Sequence, residues 1–154
     1  RINMIRKMTI HFLVILFTLI TFSYADALCV KVPKANVRTG PGKNYDIAWE
    51  VYKYMPFLKV GASVSGNWYA VKDLDGDVNW IYRKLVSSKL KCAVVKKAEV
   101  NIRKGPGKKY SKTSSGPARQ YYSYMVLKKK GAWVQIKDEW NNIGWIHKDY
   151  LWQQ

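Results

Sequence analysis

The chain has 154 residues and a formal net charge of +17, from 27 Lys and Arg against 10 Asp and Glu. That length allows one average domain or two small ones, and such a field attracts anionic polymers or surfaces without identifying them. With only two His and two Cys, neither a Ser-His-Asp constellation nor a metal-ligand cluster can be read from the sequence, which argues against an enzyme.

The amino-terminal stretch reads as an address. Arg6 and Lys7 precede the apolar run Phe12 to Phe22, and small residues follow at Ser23, Ala25 and Ala27. This is the order of a secretory signal, assigned to residues 1–25, with cleavage after Ala25 or Ala27. The run is about 11 residues, whereas a helix needs about 20 to cross a bilayer. Leu28 before Cys29 disfavours a lipoprotein signal, and translation starts at Met4 or Met8 both fit. Export to the periplasm, cell envelope or medium is therefore expected. It gives meaning to Cys29 and Cys92, which read either as a disulfide or as two buried thiols. A bridge of that span would contribute about 4 kcal/mol in the chain-entropy model.

Short strands and turns follow. Val30-Lys31-Val32 stops at Pro33, and Asn36-Val37-Arg38 runs into Gly40-Pro41-Gly42, a stiff bend to which glycine contributes positive φ. Trp49 to Val60 is rich in β-branched and aromatic residues, with Pro56 marking an edge or a break. Trp68–Lys72 and Val78–Tyr82 flank a hairpin tip at Asp73–Asp77. The pattern Asp73-x-Asp75-Gly-Asp77-x-Asn79 lacks the spacing and closing Glu of a calcium loop. No stretch of 10–15 residues carries a clean helical period, so an all-β fold is expected.

The bend then returns. Asn36-Val-Arg-Thr-Gly-Pro-Gly-Lys-Asn-Tyr45 reappears as Asn101-Ile-Arg-Lys-Gly-Pro-Gly-Lys-Lys-Tyr110, an offset of 65 that reads as gapless through Trp68/Trp133 and Trp80/Trp145. Such rigid spacing between Gly, Pro and Trp marks duplication. The expected domains are 28–88 and 91–152, joined by Ser87-Ser88-Lys89 and packed or closely linked. Small domains of about 60 residues are marginal alone, so staples or mutual packing are expected. The second copy carries 14 basic and 4 acidic residues, +10, against 10 and 6, +4, over residues 26–90. Its middle is a polar loop, Ser111–Pro117, then a strand from Tyr121 to Leu127 and a turn at Lys128-Lys129-Lys130-Gly131.

Asn-Val-Arg-x-Gly-Pro-Gly, then Gly-x-Trp, then Gly or Asn before Trp-Ile, occurs twice in that order over 36–86 and 101–151. It resembles the bacterial SH3-like (SH3b) domain family. The resemblance implies two tandem, half-open SH3-like β-barrels, and binding of cell-wall peptidoglycan or another extracytoplasmic partner. Asn79 departs from the family's Gly before Trp; tolerance of the left-handed region by Asn would preserve the turn.

Arg38, Gly40, Gly42, Trp68 and Trp80 with Arg103, Gly105, Gly107, Trp133 and Trp145 read as the structural motif, with ligand contact as the other reading for the two arginines. Candidate ligand-binding residues are Tyr45 and Tyr110 after the bends and Trp49, Tyr52, Tyr54, Tyr122, Tyr124 and Trp140, joined by the unshared Tyr121 and Trp152. No cofactor or metal is expected. The expected function is an exported, non-enzymatic binding module for peptidoglycan. The alternatives are a protein–protein adaptor gripping a peptide or envelope protein, and salt-sensitive binding of anionic lipid or lipopolysaccharide through the basic second copy. Export makes nucleic acid a poor candidate.

Overall fold

The computed structural model describes residues 26–153; the expected signal lies outside them. The first half is one antiparallel sheet. Its strands are β1 (Asp26–Val30), β2 (Lys34–Arg38), β3 (Ile47–Tyr52), β4 (Pro56–Ala62), β5 (Trp68–Lys72), β6 (Val78–Tyr82) and β7 (Val86–Ser87). They lie in the order β3-β2-β6-β5-β4-β1-β7. The second half follows a similar course through β8 (Cys92–Val95), β9 (Glu99–Val100), β10 (Ala118–Arg119), β11 (Ser123–Lys130), β12 (Trp133–Lys137), β13 (Ile143–His147) and β14 (Leu151–Gln153). Its main sheet is ordered β13-β12-β11-β8-β14, with β9 and β10 as a separate ladder. The fold is all-β and SH3-like, and both sheets are open at their ends rather than closed into barrels.

Pro56 stands at the first position of β4, opposite Cys29. That place suits a residue with no N–H to donate, but β4 lies inside the sheet and not at its edge. The gapless offset is corrected in the middle of the chain. The Tyr54 N–H bonds the Val30 carbonyl, and the equivalent donor on Val95 is Tyr121, 67 residues on. Both tyrosines hold left-handed backbone, φ 70° and 68°. The loop before β11 is thus two residues longer, and the next hairpin two residues shorter. The Ser63 N–H donates to the Trp68 carbonyl across four residues, whereas Lys130 pairs with Trp133 across Gly131 and Ala132 alone. Lys128–Lys130 are consequently strand, not turn, and β11 begins at Ser123 rather than Tyr121.

Each half has its own apolar core. Val30, Val37, Val51, Phe57, Val71 and Ile81 fill the first; Val95, Val134, Ile136 and Ile146 centre the second. β8 is buried along its whole length, because alternation sends its side chains to different neighbours. Ala93 and Val95 enter the second core, while Val94 enters the first. Between the cores, Cys29 and Cys92 form a disulfide with Cα atoms 6.0 Å apart, surrounded by Tyr54, Leu90 and Met125.

Candidate functional site

The repeated bend is a tie. The Arg38 guanidinium donates to the Tyr45 carbonyl at 2.7 Å, and Arg103 donates to that of Tyr110 at 2.8 Å. The glycines are not there for positive φ: the left-handed glycines are Gly66, Gly76, Gly116 and Gly131. Gly40 and Gly105 are glycine because a Cβ would overlap the ring of Tyr45 or Tyr110, which folds back over the bend. Space, not dihedral freedom, selects them. Asn79 similarly sits within β6 opposite Val71 and needs no left-handed backbone. At its counterpart Gly144, a Cβ would collide with Ile102.

The motif tryptophans are buried or half-buried. Trp145 is buried, while Trp68 and Trp133 are half-buried against Tyr82 and His147 at 5.5 and 5.4 Å between ring centroids. Trp80 is also half-buried, opposite Arg38. Two expected partner-facing tyrosines are corrected. Tyr54 is 7% exposed because its left-handed turn puts the ring against the disulfide. Tyr124 is 5% exposed because it occupies an inward position of β11 opposite Ala93. Burial pushes its phenol well above the usual range. Trp152 packs against the first core.

Candidate aromatics from both halves meet where the halves join. One cleft of about 560 Å³ is walled by Trp49, Tyr52, Met55, Tyr121 and Tyr122. A neighbouring cleft of about 430 Å³ shares Tyr52, Tyr121 and Tyr122 and adds Trp140. Trp49 is held by edge-to-face contacts with Phe57 and Tyr121, at 6.3 and 6.4 Å. Tyr52, Tyr122 and Trp140 are 54%, 51% and 74% exposed. The seam is tied by Tyr121 Oη donating to Asp75 Oδ2 at 3.0 Å, and by Ser123 Oγ donating to the Lys53 carbonyl at 2.8 Å. Tyr45 and Tyr110 are partly exposed but line neither cleft.

The rim is acidic, which sequence reasoning missed. Asp73, Asp75, Asp77 and Glu50 line the first cleft; Asp138 and Glu139 line the second. These are six of the chain's ten acidic residues. Asp73 Oδ1 accepts the N–H groups of Asp75 and Asp77, each at 3.0 Å, and Asp138 Oδ1 does the same for Trp140 and Asn142. Burial raises the Asp73 pKa, against the lowering by those N–H donors, and the charges of Asp77 and Asp75 raise it further. Lys34 pairs with Glu50 at 2.6 Å. Among the described residues no group of three His, Cys, Asp or Glu is placed to hold a metal ion, and no helix is long and apolar enough to cross a membrane.

Residues 31–88 match the family model described as a bacterial SH3 domain. That segment is a bacterial SH3 domain. It contributes Trp49, Tyr52 and the Asp73–Asp77 tip to the cleft; the opposite wall comes from β11 and the turn before it. Over 147 residues the chain is 24% identical to YrvJ of Bacillus subtilis (strain 168), a protein named for N-acetylmuramoyl-L-alanine amidase activity. The match covers 88% of this chain and 27% of YrvJ, so the chain spans about a quarter of that relative. Among solved structures, NlpC2 from Trichomonas vaginalis is 15% identical, covering 87% of this chain and 50% of that one, with a TM-score of 0.36. An NlpC/P60 family protein from Bacillus cereus is 11% identical, with coverages of 83% and 56% and a TM-score of 0.36.

Proposed function

We propose that the chain is an exported, non-enzymatic binding module of the bacterial cell envelope that holds peptidoglycan in the cleft between its halves. The observation that carries this reading is the convergence of Trp49, Tyr52, Tyr121, Tyr122 and Trp140 on one seam. Exposed aromatics around a joint are expensive in solubility and are where binding energy concentrates. The SH3 domain at 31–88 supports a cell-wall role. The name of the Bacillus subtilis relative points to the same polymer, since N-acetylmuramoyl-L-alanine is a peptidoglycan linkage. In this reading residues 91–152 are a second module of the same kind, and residues 1–25 are the export signal.

The test is co-sedimentation of the full chain with purified sacculi at low salt. The wild type is expected in the pellet and a Tyr122→Ala/Trp140→Ala variant in the supernatant. Wild-type protein that stays in the supernatant refutes the reading.

A second reading rests on Lys128–Lys130, which are exposed along β11. They suit a polyanion such as anionic lipid or lipopolysaccharide. Binding through them should weaken steeply with salt and survive loss of the cleft aromatics.

A further inference from the structure

The cleft has the wrong sign for the protein that carries it. Around it, Asp73, Asp75, Asp77, Asp138 and Glu139 stand without a Lys, Arg or His partner among the ion pairs of the described residues. The chain nevertheless carries 27 Lys and Arg. Some of these carboxylates are occupied by backbone: Asp73 and Asp138 each hold two N–H groups of their own hairpin tip. Asp77 and Glu139 have no side-chain hydrogen bond among the described residues. They are negative charges kept at the mouth of an aromatic groove in a field that should have paired them. Like charges held close repel, and an incoming cation relieves that repulsion.

The cation is not a metal ion, because the carboxylates do not converge on one point. Spread along Trp49, Tyr52, Tyr121, Tyr122 and Trp140, they suit organic ammonium groups, which aromatic faces also attract. The backbone narrows the choice further. β3, which supplies Ala48, Trp49, Glu50 and Tyr52 to the first cleft, is the terminal strand of its sheet. Among the described residues β2 pairs with one side of it and no strand pairs with the other, so an extended peptide can add there through main-chain hydrogen bonds. A glycan chain has no such complement to offer.

We infer that the cleft between the halves takes an extended peptide segment bearing side-chain ammonium groups, laid along the free side of β3 with its ammoniums among Asp75, Asp77 and Glu139. This rests on the chain being a binding module, and it deepens that reading by naming the part of a ligand the cleft selects.

The test is titration of the full chain, followed by tryptophan fluorescence, with Ac-Ala-Lys-Ala-Lys-Ala-NH2 and with the same peptide acetylated on both lysine side chains. The lysine peptide should bind about tenfold more tightly than its acetylated form. An Asp77→Asn/Glu139→Gln variant, whose thermal unfolding is checked in parallel, should bind the two peptides alike. Equal affinity of the wild type for both peptides, or no binding of the lysine peptide, overturns the inference. So does undiminished preference in the variant. None of these outcomes bears on sacculus co-sedimentation: loss of ammonium selectivity with sacculi still pelleting the protein leaves the wall-binding reading standing.

Discussion

Tyr121 in the second half donates its hydroxyl to Asp75 in the first, at 3.0 Å, and the same ring packs on Trp49 at 6.4 Å between centroids. One side chain thus ties the two acidic aromatic walls of the cleft. Its backbone is left-handed, a conformation uncommon for a bulky side chain and retained where surrounding structure determines it.

Removing only the hydroxyl isolates the tie. Tyr121→Phe should keep the Trp49 contact and the fold, and should loosen the cleft. The expected outcome is a thermal midpoint within a few degrees of wild type with faster amide exchange at Tyr122 and Ser123. Unchanged exchange there means the bond holds nothing in place.

The bend makes a paired prediction. Gly40→Ala puts a methyl where the Tyr45 ring lies, an overpacking defect that should cost about 1–3 kcal/mol in urea unfolding. If the ring is the obstacle, Tyr45→Ala in the same chain should recover part of that loss. A double variant no more stable than the additive sum contradicts the steric account.

The Cys29–Cys92 bridge closes a sequence separation of 63 residues and joins β1 to β8. Cys29→Ser/Cys92→Ser should therefore lower stability by about 2–4 kcal/mol. Because Val94 of β8 also packs in the first core, the halves should still melt together. Two separate transitions in calorimetry of the variant would show that the bridge alone couples them.

Alkaline pH reports on Tyr124. Burial is the main cause of its raised pKa, with the Asp138 charge second. Its unfolded phenol ionises near 10 while the folded one stays protonated, so the folded state binds more protons above that pH and stability falls as pH rises. Tyr124→Phe should be less stable-to-pH coupled, with a shallower fall in urea midpoint between about pH 9 and 11. Tyr52 and Tyr121 shift in the same direction, so a residual slope should remain. An identical slope in the variant contradicts the burial of this hydroxyl.

Much of the fold was legible because its signals are local. Gly-Pro-Gly beside Arg and Tyr marks the bend, and alternation around Trp68 and Trp133 marks the hairpins. What failed was positional bookkeeping between the halves: Tyr54 and Tyr121 are equivalent only through a two-residue shift that a shorter hairpin cancels, so the gapless offset hid it. That shift also turned Lys128–Lys130 from loop into strand. The glycine argument failed because steric space and left-handed backbone leave the same residue in the sequence. At the site, Trp49, Tyr52, Tyr122 and Trp140 could be named as unshared aromatics, but Tyr54 and Tyr124 could not be told apart from them. Nor could the acidic rim, since Glu50, Asp73–Asp77 and Asp138-Glu139 come from three separate stretches that only the joint between halves brings together.

The central claim, that the seam between the halves is the binding surface, is tested most directly by sacculus co-sedimentation of wild type against Tyr122→Ala/Trp140→Ala at matched stability. The account predicts that the wild type pellets at low salt and that the variant loses most of that binding, at least tenfold in apparent affinity, as expected when two exposed aromatic anchors are truncated. A variant that pellets as well as the wild type would place the binding surface elsewhere.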